Sequence, residues 1–304
     1  MADIQRTQQC NLLHLPVELL NKVFEFLCLH CQSDPNVVAD YDTPDAWESN
    51  RSLARICRVC RTTCLIAQPI LFHYYASGNM QKITGFREIS NIPEEDDLLP
   101  SFLCSILQQP KLSRAVKVLS FVPGSFPNGM AHHAAQLLIH ESFRMGLTPP
   151  VSDLKFLLEH LRRDGHETVD NVSESEARPN SIFSGRVHHW LQGLAVSNTP
   201  CVEQLHVNFR PPRWLAALAP NVMLDRLRIF AITGQGPQFL APHISRLVNA
   251  APNLKTLCGS DMDFSFEMGI RPTSLQKLSI NGPTSGVLQV LLSYCPKLQD
   301  LEYY

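Results

Sequence analysis

Four of the ten cysteines in this 304-residue chain stand in two Cys-x-x-Cys pairs, Cys28/Cys31 and Cys57/Cys60. Two such pairs are the raw material of a four-thiolate zinc site, although the gap between them is slightly longer than usual. Cys10, His30 and Cys64 lie close by in the sequence. A zinc site needs ligands that converge tetrahedrally, commonly from knuckle turns of glycine or small polar residues. Here Cys57 and Cys60 interrupt an apolar–arginine pattern without glycine, and Cys28 and Cys31 close an apolar run. Thiols are also frequent small core residues. Two readings therefore stand: packed core thiols, which the local pattern favours, or a zinc site on Cys28, Cys31, Cys57 and Cys60.

Other reactive spacings are missing. The pairs His132-His133 and His188-His189, and the local Asp164-x-His166-Glu167, do not set two ligands one helical turn apart as His-Glu-x-x-His would. Neither a Gly-x-Ser-x-Gly elbow nor a phosphate-cradling glycine loop occurs. The expectation is a non-enzymatic protein with no catalytic residues and no cofactor.

The elements that carry these residues have a helical beginning. Residues 13–27 read Leu-His-Leu-Pro-Val-Glu-Leu-Leu-Asn-Lys-Val-Phe-Glu-Phe-Leu. Pro16 suits the opening of a helix, where its missing N–H is no loss. Wound at about 100° per residue, Val17, Leu19, Leu20, Val23, Phe24, Phe26 and Leu27 cover an arc of roughly 180°. A helix that serves only its own core needs about 100°. The surplus predicts either two burials, one against the domain and one against a partner, or deep burial within the domain. A helical run over 52–68 follows, with Pro69 expected to stop or redirect it. Residues 70–75 form an apolar and aromatic cluster. The acidic, proline-broken stretch between Cys31 and Arg51 reads as an inserted loop pinned by Trp47.

In order, Leu15, Pro16, Glu18, Leu19, Leu20, Val23, Phe24 and Leu27, then Leu53, Cys60, Arg61, Ala67, Pro69, Leu71 and Phe72, resemble an F-box, particularly the form common in fungal proteins. The resemblance covers about the first quarter of the chain and implies a three-helix module over residues 10–76. Such a module docks a Skp-family adaptor and through it a cullin–RING ubiquitin ligase. The resemblance implies an adaptor face on Leu15, Pro16, Leu19, Leu20, Val23 and Phe24, with Cys60, Leu65 and Leu71 equally readable as internal core. The long insertion is a departure from the family pattern.

Residues 98–304 carry a recurring apolar-x-x-Leu-x-apolar pattern. It appears at Val116/Leu119/Phe121, Val202/Leu205/Val207, Leu224/Leu227/Ile229, Leu275/Leu278/Ile280 and Leu298/Leu301/Tyr303. Leu254/Leu257 is a further copy broken by Gly259. Pro110, Pro200, Pro220, Pro252, Pro272 and Pro296 precede most copies. Helical patterns over 186–195, 239–250 and 286–295 separate some of them. The spacing is on the scale of a leucine-rich repeat, about 20–29 residues with one short strand each. The region resembles the degenerate leucine-rich-like repeats that follow a fungal F-box, and an ordinary α/β domain is the competing reading. The predicted class is thus α/β: a three-helix F-box module followed by an irregular leucine-rich-repeat-like solenoid, its concave strand face holding a protein target. Intervening strand positions are the candidates for that face: Glu203, Gln204, His206, Asp225, Arg226, Arg228, Gln276, Lys277, Ser279, Gln299, Asp300 and Glu302. Tyr304 ends on a repeat strand with no polar cap, which reads as a shortened product, a fragment, or an edge covered by a partner.

Composition narrows the partners. A hydrophobic content of 44% supports a substantial core, and a formal charge of −2 argues against nucleic acid or a membrane surface. No apolar run reaches the roughly 20 residues of a membrane span, and residues 1–9 lack a signal-peptide core. A cytoplasmic or nuclear setting with reduced thiols is expected. Residues 92–97 read as an acidic boundary and 164–180 as a polar loop. The expected function is a ubiquitin-ligase substrate receptor. The alternatives are a non-ligase interaction scaffold and a zinc-stabilised regulatory module.

Overall fold

The structure is a computed structural model that describes residues 15–34, 37, 43–76, 99–121, 132–147, 154–155, 158, 189–208, 221–233, 247–260, 274–281 and 295–303. The readings made for residues 92–97, 164–180 and 186–188, and for Pro220 and Pro272, lie outside these residues. So do most of the helical patterns at 239–250 and 286–295 and the side chains of Trp47, His132 and His133.

Four helices open the fold: α1 (Val17–Glu25), α2 (Leu29–Gln32), α3 (Pro44–Cys57) and α4 (Arg61–Leu71). The carbonyl of Pro16 accepts the N–H groups of Leu19 and Leu20 at 3.0 Å, so the proline caps α1 rather than forming its first turn. The side chain of Thr43 accepts the Ala46 N–H at 3.2 Å and Pro44 supplies the first helical residue of α3. Residues 44–50, expected to be loop, are therefore helix. The predicted run 52–68 is broken by a turn at Arg58 and Val59. It restarts where the Thr63 hydroxyl accepts the Cys60 N–H at 3.2 Å. The same buried hydroxyl donates to the Ile56 carbonyl at 3.0 Å, tying α3 to α4. Pro69 does not stop α4; it lies in the last turn, and its missing N–H takes one donor from the Leu65 carbonyl while the helix runs two residues further. Leu20, Phe24, Cys28, Leu53, Ala67 and Ile70 form the core of this helical group.

The chain then passes directly into a parallel sheet. Its seven strands are β1 (Tyr74–Ala76), β2 (Val118–Phe121), β3 (Gln204–Asn208), β4 (Ile229–Thr233), β5 (Thr256–Ser260), β6 (Lys277–Asn281) and β7 (Asp300–Tyr303). They lie side by side in chain order. Each parallel step needs a crossover. The described helical pieces of these crossovers are α5 (Leu99–Gln108), α6 (Pro110–Ala115), α7 (His132–Arg144) and residues 189–197 and 247–250. The first strand comes from the segment that begins with the helical group, so the two parts share one backbone element.

Register explains the repeat pattern. Tyr75, Leu119, Leu205, Phe230, Leu257, Leu278 and Leu301 are successive partners across the sheet. Two residues on, Phe121, Val207, Ile232, Gly259, Ile280 and Tyr303 form a second row. Three residues before the first row stand Val116, Val202, Leu227, Leu254, Leu275 and Leu298, of which the first five are buried. The β4 copy is thus Leu227/Phe230/Ile232, one step of three later than the Leu224/Leu227/Ile229 reading. Helical Leu191, Leu194 and Leu247 join the same core. Each fully buried Leu or Phe there contributes about 1.5–3 kcal/mol. A backbone ladder runs alongside: the carbonyls of His73, Lys117, Glu203, Arg228, Lys255 and Gln276 each accept two N–H groups from the next repeat, at 2.7–3.1 Å.

Candidate functional site

The α1 helix shows how the wide apolar arc is divided. Leu20 and Phe24, four residues apart, point inward and are fully buried. Leu19, Val23 and Phe26 share another stripe and face outward, 52%, 40% and 74% exposed. Val17 is exposed too, and Val59, in the turn between α3 and α4, and Leu65, in α4, are each 69% exposed. Two of the six expected adaptor-face residues, Leu20 and Phe24, are therefore core residues, because their side of α1 packs on α4. Leu19, Val23 and Pro16 remain at the surface, and Leu15 is half-buried against the core. Of the three residues open to either reading, Leu65 is surface, while Cys60 and Leu71 are half-buried. The helix thus carries an exposed aliphatic–aromatic stripe on one side and a filled core on the other.

The second sheet face gathers part of the expected target surface. His206, Ser279 and Glu302 lie in one cross-strand row with Ala231 and Cys258; Gln204, Lys277 and Asp300 lie in the other. Gln204 is buried. Lys277 reaches Asp300 at 3.1 Å and Glu302 at 2.5 Å, and these two carboxylates hold its ammonium pKa above the ordinary lysine value. Glu203 is engaged by Lys117 at 2.9 Å. Asp225 and Arg226 stand on the turn before β4 and Arg228 just before the strand, exposed. Gln276 and Gln299 likewise precede their strands.

The cysteines sort differently from their spacing. Cys57 meets Cys64, and burial pushes its thiol up to about 11. The Cys60 sulfur lies 3.5 Å from the Thr63 hydroxyl, which holds its thiol below the usual range. Neither joins the first pair. Cys28 and Cys31 are instead met by His30 and, from 42 residues away, by His73. The Cys31 sulfur is 3.2 Å from His73 Nδ1 and 3.9 Å from His30 Nδ1; the Cys28 sulfur is 3.7 Å from His73 Nδ1. Hydrogen bonding from the Cys31 thiol lowers the Cys28 pKa, and that same bond with burial raises Cys31 to about 11. His30 lies inside the first Cys-x-x-Cys and was visible as a neighbour; His73 carried no spacing signal.

No helix among the described residues is long and apolar enough to cross a membrane. Comparison of the chain with protein-family models, with curated proteins and with solved structures gives no match in any of the three.

Proposed function

We propose that this chain is an F-box substrate receptor: its helical module docks a Skp-family adaptor, which links it to a cullin–RING ubiquitin ligase, and its sheet region holds a protein target. The observation that carries this reading is the outward stripe of Leu19, Val23 and Phe26 on a helix whose inward face is already satisfied by Leu20 and Phe24. The ordered F-box-like residues run through this module, with Pro16 capping its first helix and Ala67 and Ile70 in its core. The target-holding part is read as a leucine-rich-repeat-like coil, which the chain-order strands and repeated Leu rows support. No catalytic step is assigned to the chain in this scheme.

Co-expression of the full chain with a Skp-family adaptor tests the reading. A stoichiometric complex that survives size-exclusion chromatography, and that then binds a cullin N-terminal region, is expected. An adaptor that elutes apart from the folded chain overturns it. An adaptor complex that fails to bind cullin favours the non-ligase scaffold.

A further inference from the structure

Three donors stand within four consecutive residues at the end of the first helix, and a fourth arrives where the helical module meets the sheet. Cys28 caps the short α2, His30 and Cys31 lie within it, and His73 sits between α4 and β1. One ligand atom from each of the four lies within 4.8 Å of every other. We infer that Cys28, His30, Cys31 and His73 form a structural zinc site that fastens the helical module to the first strand of the sheet.

The distances fit a single tetrahedral ion. With Zn–S of about 2.3 Å and Zn–N of about 2.0 Å, the edges of the ligand tetrahedron are about 3.3–3.8 Å. Three of the four sulfur–nitrogen separations are 3.2, 3.7 and 3.9 Å, within a few tenths of an ångström of those edges, and every other ligand pair lies within 4.8 Å. The imidazole rings of His30 and His73 meet edge to face, with centroids 5.4 Å apart at 79°. That crossing lets both rings aim a nitrogen at one point rather than stack. The donor set is two thiols and two imidazoles with no carboxylate, which selects zinc over magnesium or calcium.

The surroundings are built as well. Cys28 is fully buried in the module core, while Cys31 is exposed and His30 and His73 are half-buried, so the site has a rigid floor and an open side for entry. The His73 carbonyl accepts the N–H groups of Lys117 and Val118 at 2.8 and 2.9 Å, so this ligand is fixed to the sheet by its own backbone. A metal here would tie the end of α1 to β1 and set the angle between the Leu19/Val23 stripe and the sheet. The inference is independent of adaptor docking: a zinc-bearing protein that ignores the adaptor would leave it standing, and the reverse also holds.

The test uses the full chain purified under reductant without chelator. Elemental analysis is expected to find about one zinc per chain. The chelator-stripped protein, titrated with cobalt(II), should develop the intense visible bands of tetrahedral thiolate–imidazole coordination, and zinc should erase them. Stripping should lower Tm by about 5 °C or more, restored by zinc. Cys31→Ser and His73→Asn, both at accessible positions, should each weaken zinc affinity on the order of 100-fold, whereas Cys57→Ser with Cys60→Ser should retain the metal. The inference is overturned if the wild-type chain carries no zinc and gives no tetrahedral cobalt spectrum. It is equally overturned if metal is lost with Cys57 and Cys60 but kept without Cys31, or if Cys28 and Cys31 are isolated as a disulfide that excludes it. The wild-type cobalt spectrum decides the matter even where a variant fails to fold.

Discussion

Glutamate at both Leu19 and Val23 is expected to remove adaptor binding while leaving the fold intact. Each side chain is about half exposed, so neither substitution opens a cavity or strands a buried charge. Exposed changes of this kind shift stability by no more than about 0.5 kcal/mol. At a docked apolar interface the same charges must be desolvated. Loss of one central anchor there costs about 2 kcal/mol or more, and each 1.4 kcal/mol is a factor of ten in affinity. The double variant should therefore bind at least about 100-fold more weakly by calorimetry, with an unchanged urea midpoint. Leu20→Glu makes the informative contrast. Its side chain is sealed in the module core, so that variant should fail to fold rather than fold and fail to bind.

A large, measurable stability loss should come from the centre of the sheet. Phe230 is fully buried between its row partners Leu205 and Leu257. Phe230→Ala removes a ring that no neighbour can replace, and such a change costs about 3–5 kcal/mol. Set against a typical total of about 5–15 kcal/mol, this takes much of the stability of the whole chain. Leu301→Ala belongs to the same row but lies on the edge strand β7, 39% exposed. It should cost less than about 1 kcal/mol. Urea unfolding followed by circular dichroism measures both. Equal losses at the two positions would mean that β7 is covered by something that packs on Leu301.

The strands were legible because burial on one face of a parallel sheet demands an apolar residue at every second position, and Leu119/Phe121, Leu205/Val207 and Leu278/Ile280 supply it. The β4 register was not. Leu224, Leu227 and Phe230 are spaced by three and all buried, so the pattern matches twice and only pairing with Leu205 chooses between the matches. The width of the α1 arc was likewise readable, but not which half turns inward; that is decided by α4, which seals Leu20 and Phe24 and leaves Leu19 and Val23 outside. The start of α3 carries its signal in the Thr43-Pro44 cap, which the acidic residues around it mask by favouring loop. The grouping of the cysteines was not legible for a different reason. Cys-x-x-Cys spacing reports local geometry, whereas convergence is a tertiary property. The break at Arg58 and Val59 sends Cys60 to cap α4, and the chain reversal before β1 brings in His73 instead.

Hydrogen–deuterium exchange of the full chain, with and without a Skp-family adaptor, tests the central claim most directly, because it locates the contact without altering a residue. Docking through the outward stripe predicts slowed exchange over residues 17–27 and around Val59 and Leu65, with the strands from β3 to β7 unchanged. Slowing confined to the sheet, or no slowing anywhere at saturating adaptor, would contradict it.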